Sequence, residues 1–201
     1  MEHWELIFIF LMIAFVYSSV GFGGGSSYLA VLAVYSLPYQ EIRLTALICN
    51  VIVVIGGVII YYKNKQIDWR KILPLAIISV PMAFLGAIVK LSQETFFLIL
   101  GITLVLAAIL LWVKTEPSTA EEIASAEKPS LVKNSLLGGG IGFLSGLVGI
   151  GGGIFLSPLL NLMRWDTARK IAACSSVFIL MNSISGILGQ LSKLSVEMNF
   201  S

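Results

Sequence analysis

Residues 21–26 read GFGGGS and residues 149–154 read GIGGGI. The second triplet follows the first by 128 residues, and each stands between two short apolar arms. Around the first, the arms run over 6–20 and 26–37. A polar turn at 38–43 and a full-length apolar stretch at 44–62 follow. At 1.5 Å per residue the two arms reach only about 22 and 18 Å, against roughly 30 Å of hydrocarbon in a bilayer. A helix broken at its glycines, or a re-entrant hairpin whose tip lies inside the membrane, fits that length.

The match extends beyond the triplets. At the same offset, residues 15–18 (FVYS) fall over 143–146 (FLSG), and Leu32 falls over Leu160. Past the intervening turn an offset of 129 sets 53–57 (VVIGG) over 182–186 (NSISG). The chain therefore reads as one unit written twice.

Lipid is the solvent this composition requires. Of 201 residues, 57% are hydrophobic and 12% charged, with a mean hydropathy of +0.94. A water-exposed surface needs about twice that share of charge. Uncharged stretches cover 6–40, 44–62, 72–89, 95–113, 134–163 and 171–192, several close to the ~20 residues of a membrane-spanning helix. The fold class expected is an all-α polytopic membrane protein built from an inverted repeat, with re-entrant or broken helices at its glycine-rich motifs.

Three regions follow: a first membrane repeat over 1–113, a cytoplasmic linker over 114–133 holding Pro117, Pro129 and four glutamates, and a second repeat over 134–201. The second copy ends where the first still has two spans to come. That leaves a truncated form, a partner chain or homo-oligomer supplying the missing spans, or a tolerated loss.

The basic residues report topology. If each glycine-centred pair returns to its own side, the loops at 63–71, 114–133 and 164–170 share one face. They hold ten of the thirteen Lys and Arg, leaving Arg43, Lys90 and Lys193 opposite. The positive-inside rule favours this arrangement, with the second copy inverted relative to the first. Trp4, Trp69, Trp112 and Trp165, with Tyr35, Tyr39, Tyr61 and Tyr62, fall near segment ends and read as interfacial anchors. The net charge of +2 lies in short loops and gives no nucleic-acid-binding face.

No histidine and no pair of carboxylates lies inside a span, and no metal-ligand spacing is present. Enzyme chemistry, a metal and a cofactor are not expected. A helix that starts inside the membrane, however, offers unpaired N–H groups and a partial positive charge, both suited to an anion. The substrate-binding candidates are accordingly Gly23, Gly24 and Gly25 with Ser26 and Ser27, and Gly151, Gly152 and Gly153. Thr45, Asn50, Ser175 and Asn182 on the spans that follow are secondary candidates, the two asparagines ahead of the hydroxyls. Small-residue helix packing is the competing role for the glycines. Pro81 and Pro158 read as supports for bent helices.

The chain resembles the sulfite exporter TauE/SafE family of membrane permeases. The resemblance rests on GFGGGSSYLAVLAVY at 21–35, GLVGIGGGIFLSPLL at 146–160, VVIGG at 53–57 and NSISG at 182–186. Pro158 and Leu159 match the continuation usual after the family's motif, whereas Ala30 replaces that proline in the first copy. The resemblance implies a multi-pass protein of the cytoplasmic membrane moving sulfite, organosulfonates or related sulfur-containing anions. The expected function is a secondary transporter for such an anion, with a proton as candidate coupling ion. The alternative is a non-transporting membrane subunit or scaffold that needs a partner chain.

Overall fold

The computed structural model describes residues 4–35, 37–112 and 131–199, the side chains of 131–133 and 193–199 apart. These residues form α1 (Trp4–Val20), α2 (Gly25–Val34), α3 (Tyr39–Lys63), α4 (Trp69–Ile88), α5 (Gln93–Trp112), α6 (Leu131–Val148), α7 (Gly153–Leu162) and α8 (Ala168–Asn199). No strand occurs among them. The linker expected over 114–133 lies outside the described residues except for its last three positions, which already belong to α6.

α3, α4, α5 and the first 25 residues of α8 are long and apolar enough to cross a membrane, while α1, α2, α7 and residues 134–148 of α6 are shorter apolar helices. The helices are apolar outside, and their buried polar side chains lie within an apolar core. Phe15, Val34, Trp112 and Leu136 are three-quarters or more exposed, and α1 buries none of its residues. The interior holds Asn50, Ser79, Thr103, Ser175, Ser176, Asn182 and Ser183. A fold with its greasy face outward is stable only in lipid, and the polar groups inside need one another or a ligand.

The polar turn expected at 38–43 is shorter than its composition suggested. Pro38 already caps α3, its carbonyl accepting from the Glu41 and Ile42 amides, so 39–43 are helix. The buried positions of α3, Tyr39, Ile42, Arg43, Ala46, Leu47, Asn50 and Val54, follow the three-and-four spacing of one helix face. Arg43 is thereby turned into the protein. Pro74 and Pro81 lie within a continuous α4, and Pro158 within α7.

The most extensive helix contact is between α4 and α6. Gly138, Gly142 and Gly146 recur every four residues along one side of α6, facing Leu75, Ser79 and Ala83 of α4 in the same order. The two helices therefore run parallel. A Cβ placed on Gly138 would lie 2.5 Å from the Leu75 carbonyl oxygen, and one on Gly142 2.5 Å from that of Ser79. Only hydrogen side chains allow backbones this close, and the packing supplies the association that a hydrophobic effect cannot supply inside lipid. α8 packs across α4 and α3, with Ser185 Oγ donating to Val80 O at 2.6 Å.

Each end of the bundle carries its own ties. At one, Lys71 Nζ meets Asp166 Oδ2 at 2.6 Å and lies 5.1 Å from the centre of the Trp165 ring, with Lys170 3.5 Å from Asp166 Oδ1. Two loops expected to share a face, 63–71 and 164–170, thus touch. At the other, the Tyr39 and Phe96 rings are 5.3 Å apart and Arg43 reaches the Ala87 carbonyl. Trp4, Trp69 and Trp112 are exposed at helix ends as anchors would be, but Trp165 and Tyr39 are buried. Trp165 is drawn inward beneath the Lys71 ammonium, and Tyr39 by its stack on Phe96. For these two the interfacial reading is corrected.

Candidate functional site

Both breaks are built alike. In the first, Gly21 and Gly24 take positive φ of 80° and 79°; in the second, Gly149 and Gly152 take 88° and 82°. Gly24 and Gly152 are the N-caps of α2 and α7, which are ten residues each, and both caps are left-handed. A side-chain-bearing residue pays roughly 1–2 kcal/mol for that conformation, so glycine is the residue these positions call for. The Gly24 carbonyl accepts from the Ser27 and Tyr28 amides, and the Gly152 carbonyl from those of Phe155 and Leu156. Neither helix has a side-chain cap, which leaves the amides of its first two residues, Gly25 and Ser26 in α2 and Gly153 and Ile154 in α7, for a ligand. The copies differ at one point: Gly151 has φ of 86°, whereas Gly23 does not have positive φ.

The two breaks meet. Asn50, fully buried on α3, donates from Nδ2 to Ile150 O at 3.0 Å. Its amide also lies against Gly23, Gly25 and Gly151. A Cβ added to Gly25 would stand 2.5 Å from both Asn50 Nδ2 and Ile150 O, so the glycine brings one break into contact with the other. From the opposite side Ser176 Oγ of α8 lies 2.5 Å from Gly21 O and 2.9 Å from Ala172 O, its one hydroxyl proton shared between the two carbonyls. Each break is thus held by a span from the other half of the sequence.

Beside this junction is a cleft of about 80 Å³, lined by Tyr17, Phe22–Ser26, Leu111, Ile150, Gly153, Ile154 and Ile179. With roughly 10–15 Å³ needed for a water, it has room for a small ion. Ser26 lines it, and Ser27 Oγ is hydrogen-bonded to Tyr17 Oη at 2.8 Å.

Of the residues singled out from sequence, the structure therefore brings together Gly23, Gly24, Gly25, Ser26, Asn50, Gly151, Gly152 and Gly153. It does not bring the other span residues to them by hydrogen bonds. Thr45 is half-buried on α3, and Ser175 is buried without a partner. Asn182 returns Nδ2 to Phe178 O in its own helix at 2.8 Å and leaves Oδ1 unpaired. The neighbouring Ser183 instead puts its Oγ beside Gly151, 3.1 Å from where a Cβ would sit.

From sequence, Ser176 and Ser183 are only polar positions recurring along their span, not site residues, and Arg43 is only a charge that reports topology. The available signal for Arg43 was its position seven residues before Asn50, which is two turns along the same helix face. Arg43 packs its Cα, Cβ and Cγ against Gly149, all 3.2–3.3 Å from a Cβ built there.

The buried polar atoms without a partner include Asn50 Oδ1, Ser183 Oγ, Ser145 Oγ and Arg43 Nε. Such groups cost about 1–3 kcal/mol each when left unsatisfied, and their concentration around the breaks suits a centre that receives a polar ligand. Among the described residues no cluster of His, Cys, Asp or Glu could hold a metal ion. Cys49 and Cys174 are free thiols within α3 and α8.

Comparison with known proteins agrees with this architecture. The sulfite exporter TauE/SafE family matches over residues 6–200. A probable membrane transporter protein of Sinorhizobium fredii is 34% identical over 195 residues, covering 97% of this chain and 79% of its own length. One from Methanocaldococcus jannaschii is 33% identical over 132 residues, 64% of this chain and 48% of that protein. Another, from Haemophilus influenzae, is 25% identical over 177 residues, 86% of this chain and 66% of that protein. No solved structure matches. A multi-pass helical protein with two glycine breaks facing each other, matched from its first helix to its last, belongs to the sulfite exporter TauE/SafE family of membrane transporters.

Proposed function

We propose that this protein is a secondary transporter of the cytoplasmic membrane. It binds a small anion, sulfite, a sulfonate or a related sulfur oxyanion, where its two glycine breaks meet. The observation that carries the reading is the junction itself: two uncapped helix starts, α2 and α7, come together at Asn50 inside a bundle with an apolar exterior. Each helix start carries about half a positive charge, and free amides there take an oxyanion without needing a basic side chain. Broken helices whose N-termini face an anionic group near the midplane are a recurring solution in secondary transporters.

In this reading residues 1–113 and 134–201 are two copies inserted with opposite orientation. The supporting contacts lie along α3. Gly21 rests against Tyr61 near the C-terminal end of α3, and Gly149 against Arg43 near its N-terminal end, with Asn50 between them. These contacts support hairpins that approach a common centre from opposite directions, an arrangement recurrent in alternating-access transporters.

Flux of sulfite and of methanesulfonate into sealed proteoliposomes tests the proposal, with Gly24→Leu and Gly152→Leu compared against Gly101→Leu. Gly101 is exposed on α5 with nothing near its Cβ position. Wild type and Gly101→Leu are expected to show saturable flux that the other two lose. A correctly folded Gly24→Leu protein moving both anions at the wild-type rate would overturn the reading.

A further inference from the structure

Arg43 is a cation inside a membrane-spanning helix, 1% exposed. An ionisable residue in that setting is costly and is retained where it pairs with something. Nη2 donates to Gly146 O at 2.6 Å and Ala87 O at 3.2 Å, holding one edge of the guanidinium across the C-terminal turns of α6 and α4. Nε is equally buried and has no partner. No carboxylate pairs with the side chain among the described residues.

Those two carbonyls account for the position of the group and for part of its charge. Of the five-donor fork, they leave at least the Nε donor unused. A buried N–H without an acceptor calls for one, and a guanidinium favours an oxyanion, with which it forms short, charge-assisted bonds. The location matches. The stem of Arg43 lies on Gly149, where α6 ends and the second break begins, and on α3 the same face carries Asn50 two turns on.

The charge is also single. At the offset that aligns the spans, Arg43 corresponds to Ala172, so the second copy has no counterpart.

We propose that Arg43 is an anion-binding residue of the transporter, supplying the one fixed positive charge at the foot of the second glycine break and suiting the site to a singly charged sulfur oxyanion. This rests on the anion-transport reading and adds to it a residue that helix ends alone would not require. A structural clamp between α4 and α6 is the competing role. The two differ in what they do to ligand affinity, as distinct from baseline stability.

The test uses the purified full chain in detergent micelles. Thermal midpoints are followed as sodium sulfite or sodium methanesulfonate is titrated in at constant ionic strength, with sodium chloride as control. Wild type is expected to show a saturable rise with either sulfur anion. Arg43→Gln is expected to weaken the apparent affinity at least ~30-fold, the low end for removing one partner of a buried charge pair. Arg43→Lys keeps the charge, loses the fork and reads the same quantity should the Gln variant not fold; its affinity is expected to fall ~10-fold. If either folded variant has a lowered baseline midpoint but wild-type affinity, Arg43 is a clamp only and the proposal is overturned, while the anion-transport reading stands. If wild type itself responds to neither anion beyond the chloride control, the anion-transport reading fails and this proposal with it.

Discussion

Replacing Gly142 by alanine tests how the site is held in place. The added Cβ would stand 2.5 Å from Ser79 O, 2.7 Å from Ser79 Cα and 2.8 Å from Ser79 Cβ. An ordinary carbon contact needs 3.4 Å or more, so relief requires the α4 and α6 backbones to part by nearly 1 Å. The obstacles are the backbone and Cβ of a helix, which no rotamer change can move. Overpacking of this kind costs about 1–3 kcal/mol. The separation would also be felt at both neighbouring glycines of the row, Gly138 and Gly146, because one rigid helix carries all three.

Gly140, two residues away, is the internal control. It is exposed with nothing near its Cβ position, and alanine there gains up to ~1 kcal/mol of helix propensity. Unfolding of both variants in mixed micelles, followed by tryptophan fluorescence as denaturing detergent is increased, should separate them in opposite directions. Equal midpoints for Gly142→Ala and Gly140→Ala would refute the close parallel packing of α4 and α6. Since α6 leads directly into the Gly149–Gly152 break, Gly142→Ala should also reduce anion flux in proteoliposomes.

Asn50→Leu removes the bond to Ile150 O and leaves that carbonyl buried, so the same unfolding assay should show a loss of about 1–3 kcal/mol; no loss would mean the two breaks are joined by something else. Ser176→Ala does the corresponding thing to Gly21 O on the other break, and a similar loss is expected by that assay. Asp166 should make stability acid-sensitive. Burial on its own would raise the pKa of Asp166, but the hydrogen bonds from Lys71 and the Thr167 amide, with the charges of Lys71 and Lys170, hold it below the usual carboxylate value. A carboxylate depressed in the folded state contributes stability above its unfolded pKa and loses it as pH falls through the folded one. The thermal midpoint of wild type should therefore drop across the acid range below about pH 4, and Asp166→Asn should flatten that slope while lowering the midpoint at neutral pH. An unaltered slope would remove Asp166 from the account.

How much could be read without coordinates depended on whether a property is local. The spans were legible because affinity for lipid belongs to each stretch of chain by itself. The breaks were legible because left-handed backbone at Gly24 and Gly152 follows from those residues and their neighbours, and the offset of 128 residues reproduces it at both sites. The limits of α3 were less so: a run containing Gln40, Glu41 and Arg43 looks like a turn, yet Pro38 had already started the helix.

What lay beyond the sequence is which side of a helix meets which neighbour, since rotation and crossing of helices are set by the whole bundle. Two asparagines looked alike, but α3 brings Asn50 between the breaks while α8 turns Asn182 back on its own carbonyl and offers Ser183 in its place. Trp165 lies at a segment end like the other tryptophans, and only the approach of Lys71 draws it inside. Gly138, Gly142 and Gly146 gain a role only through their register against Leu75, Ser79 and Ala83 of α4. The chain by itself determined a lipid-embedded, twice-written fold with a break in each copy, because hydropathy and backbone freedom are carried residue by residue. Tertiary packing alone decided that the breaks face each other, that Asn50 stands between them and that Arg43 lies against the second, because contacts across helices arise from distant segments pressed together.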